Sequence, residues 1–310
     1  MHPPAPAAPN VAFGKLPVIN FPEGSEDKPN NFQLETVDGG LPESMPKTVK
    51  IYFIPQVGGK FLSLDKATQT AKKLSFTDPP EKISEEVYRF TNIINSTTLT
   101  INVFTGQFEY HYNYLGDQTL INPKGLPSEN EAISLVKTFL EQIDKKTDEI
   151  DESEFKANYW KMAADKLVSA VAPSEADFIR INVFREKAGG EYPLMPPDPN
   201  FGLISFLLSG IEVQSKKIVE AKFVYFSYDK EKFGTYPTKT IEQAFEELKN
   251  KKYYLASFTG NKDKTIKIRK IYFAYFDPPS SAKFLQPLFV FQGDDNFYGY
   301  VSAVASEWTE

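Results

Sequence analysis

The fold of this 310-residue chain is decided near its end, by residues 265–304, which read TIKIRKIYFAYFDPPSSAKFLQPLFVFQGDDNFYGYVSAV. Three strand-like runs lie in this stretch: Ile266 to Phe276, Leu285 to Phe291 and Phe297 to Val304. The first run alternates apolar and basic residues and then becomes continuously apolar, as in a strand covered on both faces. A proline pair ends that run, because proline lacks the N–H that a ladder of strands needs.

The turn between the last two runs is Gly293-Asp294-Asp295-Asn296. Turn residues between two aromatic runs predict a β-hairpin. The clustered side-chain oxygens of Asp294, Asp295 and Asn296 would also suit Ca²⁺, but the ligand spacing of an EF-hand is absent. The hairpin turn is therefore the preferred interpretation.

Upstream, the chain alternates short helices with aromatic strands. Capping boxes at Ser128 with Glu131 and at Thr240 with Gln243 mark two helix starts. The alternating residues from 99 to 114 predict a hairpin around Thr105-Gly106. We therefore expect an α+β protein of mostly antiparallel sheets with short helices packed on one face, in tandem units.

An irregular, proline-rich segment from Gly189 to Pro199 is the best candidate for a domain boundary. The predicted organisation has three parts, listed here in chain order: a proline-rich linker and docking arm at 1–31, an N-terminal α+β domain at 32–192 and a C-terminal α+β domain at 193–310.

Composition excludes several classes of activity. The chain has no Cys, which removes disulfides, thiolate catalysis and Cys-ligated metals. It has two His, so a metal cluster or a Ser-His-Asp triad would depend on His111. A net charge of −6 disfavours binding of nucleic acid through a basic surface. The sequence assigns no catalytic residue, cofactor or metal ligand.

The N-terminus begins with a proline/alanine spacer, MHPPAPAAP, and shows no apolar run of membrane-spanning length. Such spacers commonly join a folded domain to another segment. The apolar residues of 11–22 predict that this part docks on the folded body. We expect an extracytoplasmic protein whose membrane anchor precedes this sequence.

Two further candidate sites carry weak signals. His111 beside Glu109 on an alternating strand could bind a metal or transfer a proton, although solvent-facing strand residues of this type are commoner. Gly58-Gly59-Lys60 lacks the upstream glycine of a phosphate-binding loop and is interpreted as a turn.

Five tyrosines form the predicted partner-binding surface. Tyr110, Tyr112 and Tyr114 share one face of a strand, and Tyr298 and Tyr300 share another. Tyrosine can bury its ring and keep its hydroxyl hydrated, which suits protein interfaces. A half-covered sheet face is the alternative explanation for both sets.

The segment LTINVFTGQFEY at 99–110, after a helix and strands, resembles the PepSY-type module. The residues at 236–255, 268–276 and 284–304 resemble, in order and spacing, the C-terminal part of YycH/YycI-type extracytoplasmic regulators. The tract VAFGKLP at 11–17, after the spacer, also resembles the start of ectodomains of uncharacterised single-pass membrane proteins of small-genome bacteria. The regulator family implies a membrane-anchored bacterial protein that acts on a sensor kinase of the cell envelope, and it supplies no catalytic residue.

The sequence therefore predicts a non-enzymatic extracytoplasmic module that binds a protein or peptide partner at the bacterial cell envelope and uses no cofactor. A hydrolase of envelope polymers and a purely structural surface module are the alternatives. The hydrolase would need a cleft with convergent carboxylates, and the structural module would show neither a cleft nor an open binding surface.

Overall fold

The computed structural model describes residues 8–24, 27–55, 64–115, 117–120, 125–145, 150, 153–164 and 166–310. The chain forms two compact units whose segments are interleaved. Unit 1 combines Met1–Gln56, Lys187–Asn200 and Phe226–Glu310, and unit 2 combines Val57–Glu186 and Phe201–Tyr225. The sequence predicts two consecutive domains, 32–192 and 193–310. This division stays a prediction.

Unit 2 contains a nine-stranded antiparallel sheet in the order β3-β4-β5-β6-β12-β11-β9-β7-β8. Its first strands are β3 (Glu81–Lys82), β4 (Val87–Asn92), β5 (Thr97–Asn102) and β6 (Phe108–Tyr112). The others are β7 (Glu154–Ala163), β8 (Lys166–Ser169), β9 (Phe178–Phe184), β11 (Ile204–Ser209) and β12 (Ile218–Phe223). The pair β5–β6 is the hairpin that the alternating residues from 99 to 114 predict, and β7–β8 and β11–β12 are also antiparallel pairs of successive strands.

Two helices of unit 2, α1 (Leu64–Lys73) and α2 (Glu129–Gln142), share a core with one face of this sheet. The predicted capping box of α2 is confirmed, since Ser128 and Glu131 each satisfy the backbone N–H of the other. Buried Ala132, Val136 and Leu140 recur at helical spacing and meet the strands. The side of α2 beside this stripe therefore stays free of the sheet. A four-residue turn of helix, α3 (Gln214–Lys217), joins β11 to β12.

Unit 1 contains a six-stranded sheet and a three-stranded sheet. The larger has the order β1-β15-β17-β18-β14, and β10 pairs separately with β15. Its strands are β1 (Phe32–Leu34), β10 (Leu194–Met195), β14 (Tyr254–Ser257), β15 (Ile266–Phe276), β17 (Pro287–Gly293) and β18 (Phe297–Ser302). The smaller has the order β13-β2-β16, with β2 (Thr48–Phe53), β13 (Asp229–Pro237) and β16 (Phe284–Leu285).

The three strands predicted in residues 265–304 are confirmed as β15, β17 and β18, which lie side by side. Asp295 and Asn296 both have positive φ, and the N–H of Phe297 bonds to the carbonyl of Asp294. This is the geometry of a type I′ turn, which matches the twist of the strands that it joins. The helix α4 (Ile241–Lys249) lies against β18, where Gly299 leaves room for Leu248.

The predicted α+β class is wrong: the protein is mostly β. The sheets are large and mainly antiparallel as expected, but helices of more than four residues number three in the part of the chain that the structure describes. Two belong with the nine-stranded sheet and one with the six-stranded sheet, so no layer of helices covers one face throughout. The physical reason is that aromatic strands such as β15 and β17 are buried along most of their length and pack in the core without a covering layer of helices.

The segment from Val11 to Pro22 packs on unit 1, as its apolar residues predict. Leu16 is buried and pairs with Thr309, and the ring of Phe21 stacks on Tyr254 at 4.8 Å between centroids. None of the helices in the described ranges is both long and apolar enough to cross a bilayer.

Candidate functional site

The five predicted tyrosines fall into different environments. Tyr112 donates a hydrogen bond to Asp117, Tyr114 to Glu220 and Tyr300 to the carbonyl of Pro196, and all three rings are buried. Tyr298 is half-buried. Partner binding through these residues stays a prediction, but Tyr112, Tyr114 and Tyr300 already use their hydroxyls within the chain.

Tyr110 differs, because it lines a cavity. A cavity of about 400 Å³ lies between the end of β6 and the side of α2 that the sheet leaves free. A second cavity of about 600 Å³ continues along the same helix toward its N-terminus. Leu135, Thr138 and Lys217 line both. We call the two together the α2 groove.

The wall formed by α2 follows from helical periodicity. Ser134, Thr138 and Gln142 recur every four residues and therefore lie on one side of the helix, beside the buried stripe. Leu135 lies next to them, half-buried at the middle of the groove. This wall is polar with one apolar patch.

The opposite wall is the connection between β11 and β12. It approaches the backbone at Gly125 so closely that a Cβ on Gly210 would lie 3.0 Å from the carbonyl carbon of Gly125. Gly210 therefore permits a contact that other residues would disturb. Lys217, at the end of α3, extends this wall into both cavities.

The Tyr110 end of the groove contains hydroxyl groups without hydrogen-bond partners. The ring of Tyr110 is fixed edge-to-face against Phe139 and Phe76, at 6.1 and 6.2 Å between centroids. Its hydroxyl has no hydrogen-bond partner among the described residues, although the side chain is 9% exposed. Thr97 lines the same cavity at 4% exposure, and its hydroxyl has no partner in the described ranges either. Neither hydroxyl is among the fully enclosed polar atoms that lack a partner, so both are accessible from the cavity and available to a ligand.

The two ends of the groove differ in charge. Lys73 lines the cavity at the Tyr110 end, and Lys217 lies where the two cavities join and lines both. Glu131 and Glu212 line only the second cavity. Lys73 is paired with Asp144, whereas Lys217 has no ion-pair partner among the residues described. Hydrogen bonds from Ser128 lower the pKa of Glu131, which keeps its carboxylate ionised at neutral pH.

An apolar turn lies next to the Tyr110 end. Asn95, in the turn between β4 and β5, lines the first cavity, and the two residues before it are isoleucines. Ile93 is 81% exposed and Ile94 is 94% exposed. Val213, on the opposite wall of the same cavity, is also exposed. Adjacent exposed apolar residues at the edge of a groove are typical of contact surfaces.

His111 lies on the other face of the nine-stranded sheet. Its Nδ1 is 4.0 Å from Oε1 of Glu220, which also accepts a hydrogen bond from Tyr114. Arg180 donates to the second oxygen of the same carboxylate at 2.7 Å. Glu109, which we considered with His111, lies opposite Lys222 in the register. We call Tyr114, Arg180 and Glu220 the Glu220 cluster.

The remaining candidate sites have structural explanations or lie outside the described residues. Asp294 accepts hydrogen bonds from Arg269 through both carboxylate oxygens, at 2.7 and 2.8 Å. The carboxylate of Asp294 is therefore already paired with a cation. Gly58-Gly59-Lys60 is outside the described residues. Within those residues, no three His, Asp or Glu side chains are grouped as a metal site requires.

Sequence reasoning identified Tyr110 but missed the rest of the groove. Leu135 carried a usable signal, since it is an apolar helix residue outside the buried stripe. Lys217 carried no such signal in the sequence. Its position depends on the connection between β11 and β12, and the periodicity of helices and strands does not describe a connection.

Comparison with known proteins assigns no family. No family model and no curated protein matches the chain. An uncharacterized protein from Eubacterium rectale ATCC 33656, of known structure, is 11% identical with a TM-score of 0.47, covering 83% of this chain and 82% of that one. The Bacillus megaterium YpeB C-terminal domain is 11% identical with a TM-score of 0.32, covering 80% of this chain and 95% of that one. The resemblances to the PepSY-type module and to YycH/YycI-type regulators have no counterpart in the family or curated comparisons and stay predictions.

Proposed function

We propose that this chain is a non-enzymatic module that binds a protein or peptide segment in the α2 groove. The observation that carries the proposal is the continuity of two cavities along one side of α2, with Leu135, Thr138 and Lys217 common to both. Extended segments bind in such clefts by placing side chains in successive pockets. The exposed isoleucines beside the groove support contact with a macromolecule.

The composition of the groove supports binding over catalysis. Its described carboxylates are Glu131 and Glu212, and Glu131 caps α2. Both hydrogen bonds from Ser128 go to the carboxylate of Glu131, so this group has a structural role as a helix cap. The proposed setting is the outside of a bacterial membrane, with an anchor before the proline/alanine spacer, and the support for this setting is the spacer sequence.

A peptide library tests the binding function. The probe is a positional-scanning library of hexapeptides with free C-termini and an N-terminal fluorescein, and the readout is fluorescence polarisation with the full chain. We expect saturable binding with residue preferences at several positions. Thr138→Trp fills the groove from an exposed helix position, and we expect it to weaken binding at least about tenfold.

The matched control is Glu141→Trp, which adds the same side chain to the same helix outside the groove, and binding should stay within about twofold. Ser134→Trp is a second groove variant in case Thr138→Trp disturbs folding, which circular dichroism would detect. Absence of saturable binding, or equal binding by the groove variants and the control, would overturn the proposal.

A further inference from the structure

We infer that the segment bound in the α2 groove places a carboxylate at the Tyr110 end and directs a basic group toward Glu131 and Glu212. This inference rests on the proposed function and names the chemistry of the ligand. The carboxylate can come from the C-terminus of a peptide or from an acidic side chain, and the experiment below separates these sources.

Several hydrogen-bond donors surround the Tyr110 end of the groove. Burial raises the pKa of Tyr110 to about 12, so its hydroxyl stays protonated and donates at neutral pH. Thr97 and Thr138 add two hydroxyls, and Lys217 adds a cation. Hydrogen bonds between charged and neutral partners are stronger than neutral pairs, which favours an anionic acceptor over a carbonyl.

Two of these donors have no competing partner in the part of the chain that the structure describes. Among the described residues, neither the hydroxyl of Tyr110 nor the ammonium of Lys217 has a hydrogen-bond or ion-pair partner. By contrast, Lys216, the preceding residue, bonds to Asp117 at 2.6 Å. The cation available to a ligand here is therefore Lys217.

The far end of the groove carries two carboxylates. Glu131 and Glu212 lie beyond Ser134 in the second cavity. A bound segment with an acidic end and a basic residue complements the charges of the α2 groove when its acidic end lies near Tyr110. In the reverse orientation, like charges face each other. The helix from Asn130 to Gln142 spans about 18 Å. An extended chain of about five or six residues covers that length.

The test uses the hexapeptide library in three forms. One has free C-terminal carboxylates, one has C-terminal amides, and one has C-terminal amides with Asp or Glu fixed at the last position. We expect the free acids to bind at least about tenfold more tightly than the plain amides. Lysine or arginine should be preferred near the N-terminal end.

Two variants assign this preference to the groove. We expect Lys217→Gln to remove the difference in affinity between free acids and plain amides, and Tyr110→Phe to reduce it. The plain amides should bind the natural protein and both variants with equal affinity. Lys222→Gln, an exposed lysine of β12 outside the groove, is the matched control and should keep the difference.

Each outcome has a separate meaning. Tight binding by the Asp/Glu amides supports an acidic side chain as the source, and tight binding by the free acids alone supports the C-terminus. Equal binding of acids and plain amides, with no effect of Lys217→Gln, overturns this inference and leaves peptide binding intact. Failure of all three libraries to bind overturns the proposed function itself.

Discussion

The Tyr110 end of the α2 groove and the Glu220 cluster use tyrosines four residues apart, yet they differ in what the hydroxyl contacts. Tyr114 donates to Glu220 at 2.7 Å, and burial together with that bond raises its pKa well above the ordinary value. Tyr110 is equally buried, but its hydroxyl opens into a cavity without a partner in the described residues. A buried phenol beside a carboxylate stabilises the fold, whereas one that opens into a cavity is available to a ligand.

The largest expected effect comes from removing the carboxylate of the Glu220 cluster. Glu220→Ala leaves the hydroxyl of Tyr114 and the guanidinium of Arg180 without this acceptor. Hydrogen bonds to charged groups contribute about 1.5–3 kcal/mol each, and partial exposure reduces the total. We expect a loss of about 2–3 kcal/mol in the free energy of unfolding, measured by urea denaturation at neutral pH.

The control is Glu109→Ala on β6, which removes an exposed carboxylate from the same face of the sheet. Its effect should stay within about 0.5 kcal/mol, since exposed ion pairs contribute little. Equal losses for the two variants would mean that the Glu220 cluster adds no specific stability.

A second, smaller effect tests the neighbouring carboxylate, Asp117. Burial alone raises its pKa, but hydrogen bonds from Lys216, Thr119 and Tyr112 outweigh burial, and the net result is a pKa below the ordinary value of 3.8. A lowered pKa in the folded state contributes stability that is present above the unfolded-state pKa and is lost as the pH falls below it. We expect Asp117→Asn to lose about 2 kcal/mol at pH 7.

The difference in the free energy of unfolding between Asp117→Asn and the natural protein should become smaller at about pH 2.5. At that pH the carboxyl group is protonated in the unfolded state, which removes the stability that the natural carboxylate contributes. Urea unfolding at both pH values measures it. A difference that is constant with pH would show that the charge of Asp117 contributes nothing and that the variant acts through packing.

Local patterns in the sequence predicted local structure well. The capping boxes at Ser128 and Thr240 are present, and the alternation of Phe108, Tyr110 and Tyr112 places these side chains inward as expected. These features depend on residues a few positions apart. The predicted α+β class was wrong because the chain has fewer helices than the alternation of short helices and aromatic strands in the sequence implied.

Long-range pairing could not be predicted in the same way. β1 and β2 follow each other in sequence, yet β1 pairs with β15 and β2 with β13 and β16. The groove also depends on distant partners, because Lys217 and Tyr110 line the same cavity only when β12 pairs with β6. Nothing in either local sequence specifies that neighbour, so Tyr110 was grouped with Tyr114 although their environments differ.

The smallest expected effect is also the most direct test of the comparison. Tyr110→Phe removes a hydroxyl that has no partner in the described residues and keeps the ring contacts with Phe139 and Phe76, so the free energy of unfolding should change by less than about 0.5 kcal/mol. Tyr114→Phe makes the same chemical change but removes a bond to a carboxylate, and we expect a loss of about 1–1.5 kcal/mol. Urea denaturation of the two variants side by side measures the difference. Equal losses would show that the hydroxyl of Tyr110 is bonded within the protein, which would remove the main support for a ligand at that end of the groove.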